Sequence, residues 1–396
     1  MSYYLKSVKL TRDMLGNETR KLKYLKSLIG DKNELNKSIA KKYSISTFGN
    51  ENEDLNIKGV KALINGFDEI DTEKMDIMVQ YKDVEFKEIN EKNQIVLSFA
   101  NEDIVAHSIY DFYTGFLNEF EVTKFINYCL KNGYIDIIQQ NIKWLLLRNG
   151  NKEKRFRLLK DHDDTWGMRG LTSKNYKKYD NSVVLYLSLL ALHKYSKDKQ
   201  KAYHVDTAFI SDSSLNLFFE KDDPIELPEV GKIYLGLTVS NGEIRNKTFK
   251  AELRYKIVDF KDNSSFYAIF HSPVFNIVHS MNIETIDSHL ENLFKLDEQE
   301  ESLIEFIKKI KVTEKLSDDV LYFITRELLE KINECSDISK KTKDEFKKVE
   351  TERLINNTYN LINYFDRLSK ISTDIDEKIF IERIYHKVIV DLLNQK

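Results

Sequence analysis

Apolar and polar positions along the chain change period several times, and each change predicts an element. The pieces KMDIMVQYKDVEFKEI and NQIVLSF alternate at period two, which predicts strands and hairpins before residue 100. DIVAHSIYDFYTGFLNEFEVTKFINYCLKNG then reads as helix, with Asn132-Gly133 as its stop. KWLLLR, NGNK and EKRFRLLK predict a β-hairpin, because Asn149-Gly150 accepts the positive φ of a tight turn. In its second strand Arg155 and Arg157 share one face, while Phe156 and Leu158 take the other. VVLYLSLLALHKY predicts a buried helix, opened by Asp180, Asn181 or Ser182 as cap.

The middle third is rich in β-branched and aromatic residues. KAYHVDTAFISD, LNLFFEK, KIYLGLTVSNGEI, TFKAELRYKIVDF and SFYAIFHS predict strands, with turns at Asn241-Gly242 and Asp262-Asn263. Pro224 and Pro228 frame a loop. From about Glu284 the period becomes helical. Stripes form at Leu303, Ile304, Ile307 and Ile310, at Leu354, Ile355, Leu361, Ile362, Phe365 and Leu368, and at Ile381, Ile384, Tyr385, Val388 and Leu392. The predicted fold class is α+β, a central antiparallel sheet with flanking helices and a C-terminal helical bundle. Three segments follow: an N-terminal α/β segment at 1–102, a central mixed α+β domain at 103–283, and the bundle at 284–396.

Composition narrows this reading. At 396 residues the chain is long enough for two or three cores, and 41% hydrophobic with three prolines argues against disorder. Cys129 and Cys335 have no CxxC companion, so a disulfide framework and a thiolate zinc site are not expected. The start MSYYLKSVKL lacks the apolar region of a signal peptide, and no run approaches the ~20 apolar residues of a membrane span, so a cytoplasmic protein with no membrane partner is expected.

Charge is unevenly placed. Net charge is -3, so any binding of nucleic acid must come from patches. Residues 1–46 carry eleven bases against four acids, whereas 51–103 carry fourteen acids against six bases. The basic start reads either as a solvated helix face or as an arm touching an anionic partner. The strongest concentration lies at 141–181, with eleven bases, five acids and both tryptophans. Basic residues interleaved with aromatics suit a phosphate backbone and stacked bases. The candidate nucleic-acid-binding residues are Arg148, Arg155, Arg157, Lys160, Trp166, Arg169, Lys174 and Tyr176. The bland alternative is an exposed hairpin with solvated lysines and core tryptophans. Two arginines on one strand face repel unless something anionic lies opposite.

Other chemistry is thinner. Asp161, His162, Asp163 and Asp164 sit in one turn and offer a Mg²⁺ site for a metal-dependent nuclease, with an ordinary acidic loop as the alternative. His271, His279, Glu284 and His289 match no zinc-ligand spacing. His204 and Asp206 share a strand face and can pair. There is no nucleophile elbow, no Walker A sequence and no GxGxxG, so an enzyme is the less favoured class and no cofactor is expected.

Two segments resemble a family of phage/plasmid-like proteins of unknown function. RFRLLKDHDDTWGMRGLTSKNYKKYDNSVVL resembles its Arg-rich strand followed by Ser-x-x-Tyr-x-x-x-Asp-Asn, here Ser173, Tyr176, Asp180 and Asn181. LGLTVSNGEIRNKTFKAELRYKIV resembles its strand pair around Ser-Asn-x-Glu, here Ser240, Asn241 and Glu243, followed by an Arg-bearing strand at Arg254. The likeness covers residues 140–300, and RYKIVDFKDN departs from the family's Cys-x-Asn-Gly turn. It implies a phage or mobile-element protein working near DNA.

The expected function is a non-enzymatic nucleic-acid-binding protein, of the single-stranded DNA binding or annealing type. Its rivals are a module for phage defence or counter-defence that binds a host protein, and the nuclease. A homo-oligomer fits each.

Overall fold

The computed structural model describes residues 5–30, 33–100, 102–161, 164–244, 247–294, 296–310, 317–336, 338–350 and 358–394. Its strands are β1 (Ser7–Thr11), β2 (Ile57–Lys58), β3 (Lys74–Gln80), β4 (Val84–Ile89), β5 (Ile95–Phe99), β6 (Ile104–Ser108), β7 (Glu153–Lys160), β8 (Trp166–Thr172), β9 (Tyr203–Ser211), β10 (Ser214–Lys221), β11 (Ile225–Leu227), β12 (Gly231–Gly242), β13 (Phe249–Val258) and β14 (Ser265–Ile277). The large sheet runs β1-β9-β10-β12-β13-β14, with β11 beside β12 and β2 beside β9. The small sheet runs β3-β7-β8-β6-β5-β4. Pairing is antiparallel except at β2 with β9 and β6 with β8. The fold is thus α+β, with antiparallel sheets, flanking helices and a helical C-terminal region.

The small sheet draws all its strands from 74–172, between β2 and β9 of the large one. A boundary at 102/103 therefore cuts between β5 and β6, which are paired neighbours. Residues 104–108 also depart from the helical reading. IVAHS alternates, with Ala106 and Ser108 buried and Val105 exposed, and it forms β6. Helix begins only at Phe112–Asn118.

The Asn181–Asp198 helix is buried almost all round. Val183, Leu187, Leu190 and Tyr195 pack into one core with Leu215, Leu217 and Val239 of the large sheet and with N-terminal residues such as Leu25 and Leu63. A second core fills the small sheet around Phe86, Leu97 and Phe156.

The C-terminal stripes do not close on each other as a free bundle. Leu303, Ile307, Phe346, Phe365 and Tyr385 share a core with Ile233, Tyr255, Ile257 and Phe266 of β12–β14. The rings of Phe365 and Tyr385 stack at 4.2 Å, with the Phe266 ring edge-on at 5.1 Å from Phe365. The helices form a layer because these strands offer apolar side chains the stripes can cover. Leu354 and Ile355 lie outside the described residues. Asn241 and Gly242 sit inside β12, paired with Leu215 and Ser214, so the turn to β13 comes later. Among the described residues no helix is long and apolar enough to cross a membrane.

Candidate nucleic-acid interface

The first half of the expected hairpin is a helix. Ile135–Arg148 is continuous, and β7 begins only at Glu153. KWLLLR is six residues of a longer pattern in which Ile138, Ile142 and Leu146 recur every four and are buried. Asn149 and Gly150 follow the helix end, where the Asn149 amide donates to the Leu145 carbonyl at 3.1 Å.

β7 does alternate as the sequence implies, with Phe156 and Leu158 in the small-sheet core and Arg155 and Arg157 on the other face. What lies opposite the arginines is anionic and belongs to the chain itself. Arg157 Nε donates to Asp76 Oδ1 at 3.1 Å, and Nη2 donates to Asp180 Oδ1 at 2.7 Å. Its Nη1 donates to the Glu243 carbonyl. Glu243, fully buried, takes Arg169 and Lys74 on its carboxylate, Lys74 at 3.0 Å. Burial pushes the Glu243 carboxyl up, but the charges of Lys74, Arg169 and Arg157 outweigh it and hold the group far below the usual carboxylate range. Asp76 is lowered in the same way, its burial overcome by Arg157 and Lys178.

This network sorts the eight sequence candidates. Arg157 and Arg169 are each 1% exposed, and Tyr176 is buried, donating from its hydroxyl to the Glu243 carbonyl at 3.0 Å and stacking on His279 at 4.7 Å. A phosphate or base cannot reach these three without opening the two-sheet contact. Arg155 is half-buried and donates to the Tyr176 carbonyl at 2.6 Å. Lys160 pairs with Glu73 and Asp164, both at 3.2 Å, and lies 6.0 Å from the Trp166 ring, which packs against the small-sheet core. Lys174 is exposed and pairs with Glu153 at 3.3 Å. Arg148 is apart from all of them, on the outside of the Ile135–Arg148 helix. The eight do not form one surface.

Arg148 ends a helix whose outer side carries other exposed aromatic and apolar residues. On Ile135–Arg148 the outward residues include Ile137, Trp144 and Leu147, the last two 59% and 67% exposed. The preceding helix, Thr123–Lys131, turns Ile126 and Cys129 inward and leaves Phe125 and Tyr128 outside. Tyr128 meets Tyr134 edge to face at 6.3 Å. Arg148 lies over the Trp144 ring at 5.9 Å. Lys124, Lys131, Lys143 and Arg148 are exposed cations with no carboxylate within 4.0 Å among the described residues. The signal for this face was present in the sequence: apolar residues at Ile137, Trp144 and Leu147 fall outside the buried stripe, more than an ordinary amphipathic helix carries.

The acidic turn gives little support for a metal. Asp164 is taken by Lys160, and His162 and Asp163 lie outside the described residues. His271, His279, Glu284 and His289 do not assemble; His279 is buried against Tyr176 and Tyr179, whereas His271 is exposed. Both cysteines are free. Comparison of the chain with protein-family models, curated proteins and solved structures found no match.

Proposed function

We propose that the chain is a non-enzymatic binder of single-stranded nucleic acid, DNA first, and that it binds through the outer face of the Thr123–Lys131 and Ile135–Arg148 helices. The observation that carries this reading is exposed Trp144, Tyr128 and Phe125 on two successive helices that also carry four exposed cations with no carboxylate within 4.0 Å among the described residues. Aromatic faces stack any base, and cations beside them hold the backbone without sequence readout. A phage or mobile-element setting rests on the sequence resemblance alone.

The test is fluorescence anisotropy of a labelled single-stranded oligonucleotide across a salt series. Four phosphate contacts give a slope of log affinity against log salt of about -3. Trp144→Ala removes one stacking partner, worth ~1–3 kcal/mol, so affinity falls about 5- to 150-fold. Absence of binding at low salt, or binding that survives Trp144→Ala together with Arg148→Glu, rules the reading out.

The aliphatic members of the same face, Ile137 and Leu147, favour a second reading as a docking surface for a host protein. Salt separates the two, since apolar contact with a protein persists where phosphate contacts are screened.

A further inference from the structure

On the face of the large sheet turned away from the Asn181–Asp198 helix, β9 and β10 bring three donor groups together. His204 and Asp206 alternate on β9, and Glu220 of β10 stands directly across from His204. The imidazole and the two carboxylates each offer an atom within 4.8 Å of the others. Backbone register places all three, so the cluster does not depend on a loop.

The state of His204 is what turns this cluster toward a ligand. The ring is 2% exposed. Its Nδ1 lies 2.8 Å from Oδ1 of Asp222, whose Oδ2 holds Lys58. With Nδ1 engaged by Asp222, Nε2 is the ring nitrogen left to face the cluster. That Nε2 is buried with no hydrogen bond, 3.5 Å from Glu220 Oε1. A buried ring nitrogen without a hydrogen bond, facing a carboxylate, is satisfied by a proton or by a metal ion between them. A carboxylate on the far nitrogen of a histidine is also the arrangement that orients imidazole for a metal.

We propose that His204 Nε2, Asp206 and Glu220 form a divalent transition-metal site, with Zn²⁺ the best-suited ion. One imidazole and two carboxylates suit zinc, and three protein ligands leave a fourth position for water or another oxygen ligand. Tetrahedral bonds of ~2.0–2.2 Å set donors ~3.3–3.5 Å apart, so the side chains need only a small inward movement. Two cations already touch the carboxylates. Arg254 Nη1 donates to Asp206 Oδ2 at 3.2 Å, and Arg12 Nη1 donates to Glu220 Oε1 at 3.2 Å. Arg254 is buried and fixed, whereas the Arg12 side chain is 52% exposed and free to leave. Of the three ligands only Asp206 lines a cleft, of about 430 Å³, whose walls include Arg12, Lys9, Tyr267, Arg254 and Lys378.

The test uses the full chain stripped of metal by chelator and titrated calorimetrically with Zn²⁺ alone. One ion per chain is expected, with a melting temperature that rises as Zn²⁺ is added. His204→Gln abolishes the saturable event, and Asp222→Asn, which keeps every direct ligand, weakens it ~10–100-fold. Arg12→Ala removes the competing guanidinium and leaves affinity equal or tighter. Co²⁺ in place of Zn²⁺ gives visible absorption bands that disappear in Glu220→Gln. Circular dichroism of each variant establishes that it is folded, and Asp222→Asn carries the test if His204→Gln is not. Absence of 1:1 Zn²⁺ binding by the folded wild-type chain overturns the proposal, as does affinity unchanged in both Asp222→Asn and Glu220→Gln.

Discussion

The carboxylate of Glu243 accepts the backbone N–H of Asn181 at 2.8 Å, so the residue just past β12 caps a helix 62 positions earlier in the chain. Asp180 occupies the N-cap position but makes no side-chain cap bond, because its carboxylate is turned to Arg157. Anionic charge at a helix N-terminus is favourable, and here a distant side chain supplies it.

Glu243→Gln therefore removes the counter-charge of Lys74 and Arg169 in one step. Breaking a buried pair costs about 3–5 kcal/mol, measurable by urea unfolding. The pH dependence has a definite sign. The native carboxyl lies below its ordinary range, so its stabilisation is present at neutral pH and is lost as pH falls through and below the unfolded value of about 4.3. The gap between wild type and Glu243→Gln narrows with acidification; a gap that stays constant to pH 3 refutes the assignment.

His386 gives a second acid-sensitive element with a different cause. It is buried among Tyr255, Phe270 and Phe306, and burial pushes it down to about 4. The Tyr255 hydroxyl lies 3.0 Å from Nδ1. Because the unfolded chain binds this proton near pH 6.5 and the folded chain does not, stability is full above pH 6.5 and declines as pH falls toward 4. The integrated loss is about 3 kcal/mol. His386→Gln flattens this part of the stability profile, and an unaltered slope between pH 6.5 and 4 contradicts it.

Arg254 is held on three sides. Its guanidinium lies 4.3 Å from the Phe218 ring and 3.6 Å from the Tyr267 ring, and it binds Glu382 through both Nε and Nη2 at 2.8 and 2.7 Å. Planar bidentate contact and ring stacking suit guanidinium and not ammonium. Arg254→Met strands Glu382 and costs about 3–5 kcal/mol, with Arg254→Lys intermediate. Equal stability of Lys and Arg in chemical denaturation speaks against the stacked geometry.

Surface and core of the small-sheet unit separate by substitution. Trp144→Ala and Leu147→Ala change stability by about 0.5 kcal/mol or less, as exposed residues do. Phe156→Ala, whose ring lies 4.9 Å from Phe99 and 6.0 Å from Phe112, costs about 3–5 kcal/mol. A large loss from either exposed residue means that the helical face is covered.

β9, β10, β12, β13 and the first part of β14 were readable because their residues alternate, whereas β11 lies between Pro224 and Pro228 where a loop was expected, and the C-terminal stripes were readable because their period is 3.6. Arg155 and Arg157 on one face, with an anionic group opposite, were also inferable. That this group is Asp76, Asp180 and Glu243 was not, since those partners come from three separate elements joined only by folding. KWLLLR was misread because six apolar-rich residues fit either period; fourteen residues, with Ile138, Ile142 and Leu146 inward, fit only helix. His204 and Asp206 stand out at spacing two, but Glu220 joins them through strand register alone. The count of bases in 141–181 could not distinguish cations facing solvent from cations facing carboxylates.

The placement of the small sheet between β2 and β9 has a mechanical consequence. The chain enters that sheet at Lys74 and leaves it at Thr172, and Lys74, Arg157 and Arg169 from within it all converge on Glu243. Doorway and bolt are the same few side chains. Melting the inserted unit would strip the counter-charges from Glu243, which caps the Asn181–Asp198 helix, the centre of the other core. Amide protons of β7, β8 and β12 should therefore exchange through one shared opening at one free energy, and not as two separable layers.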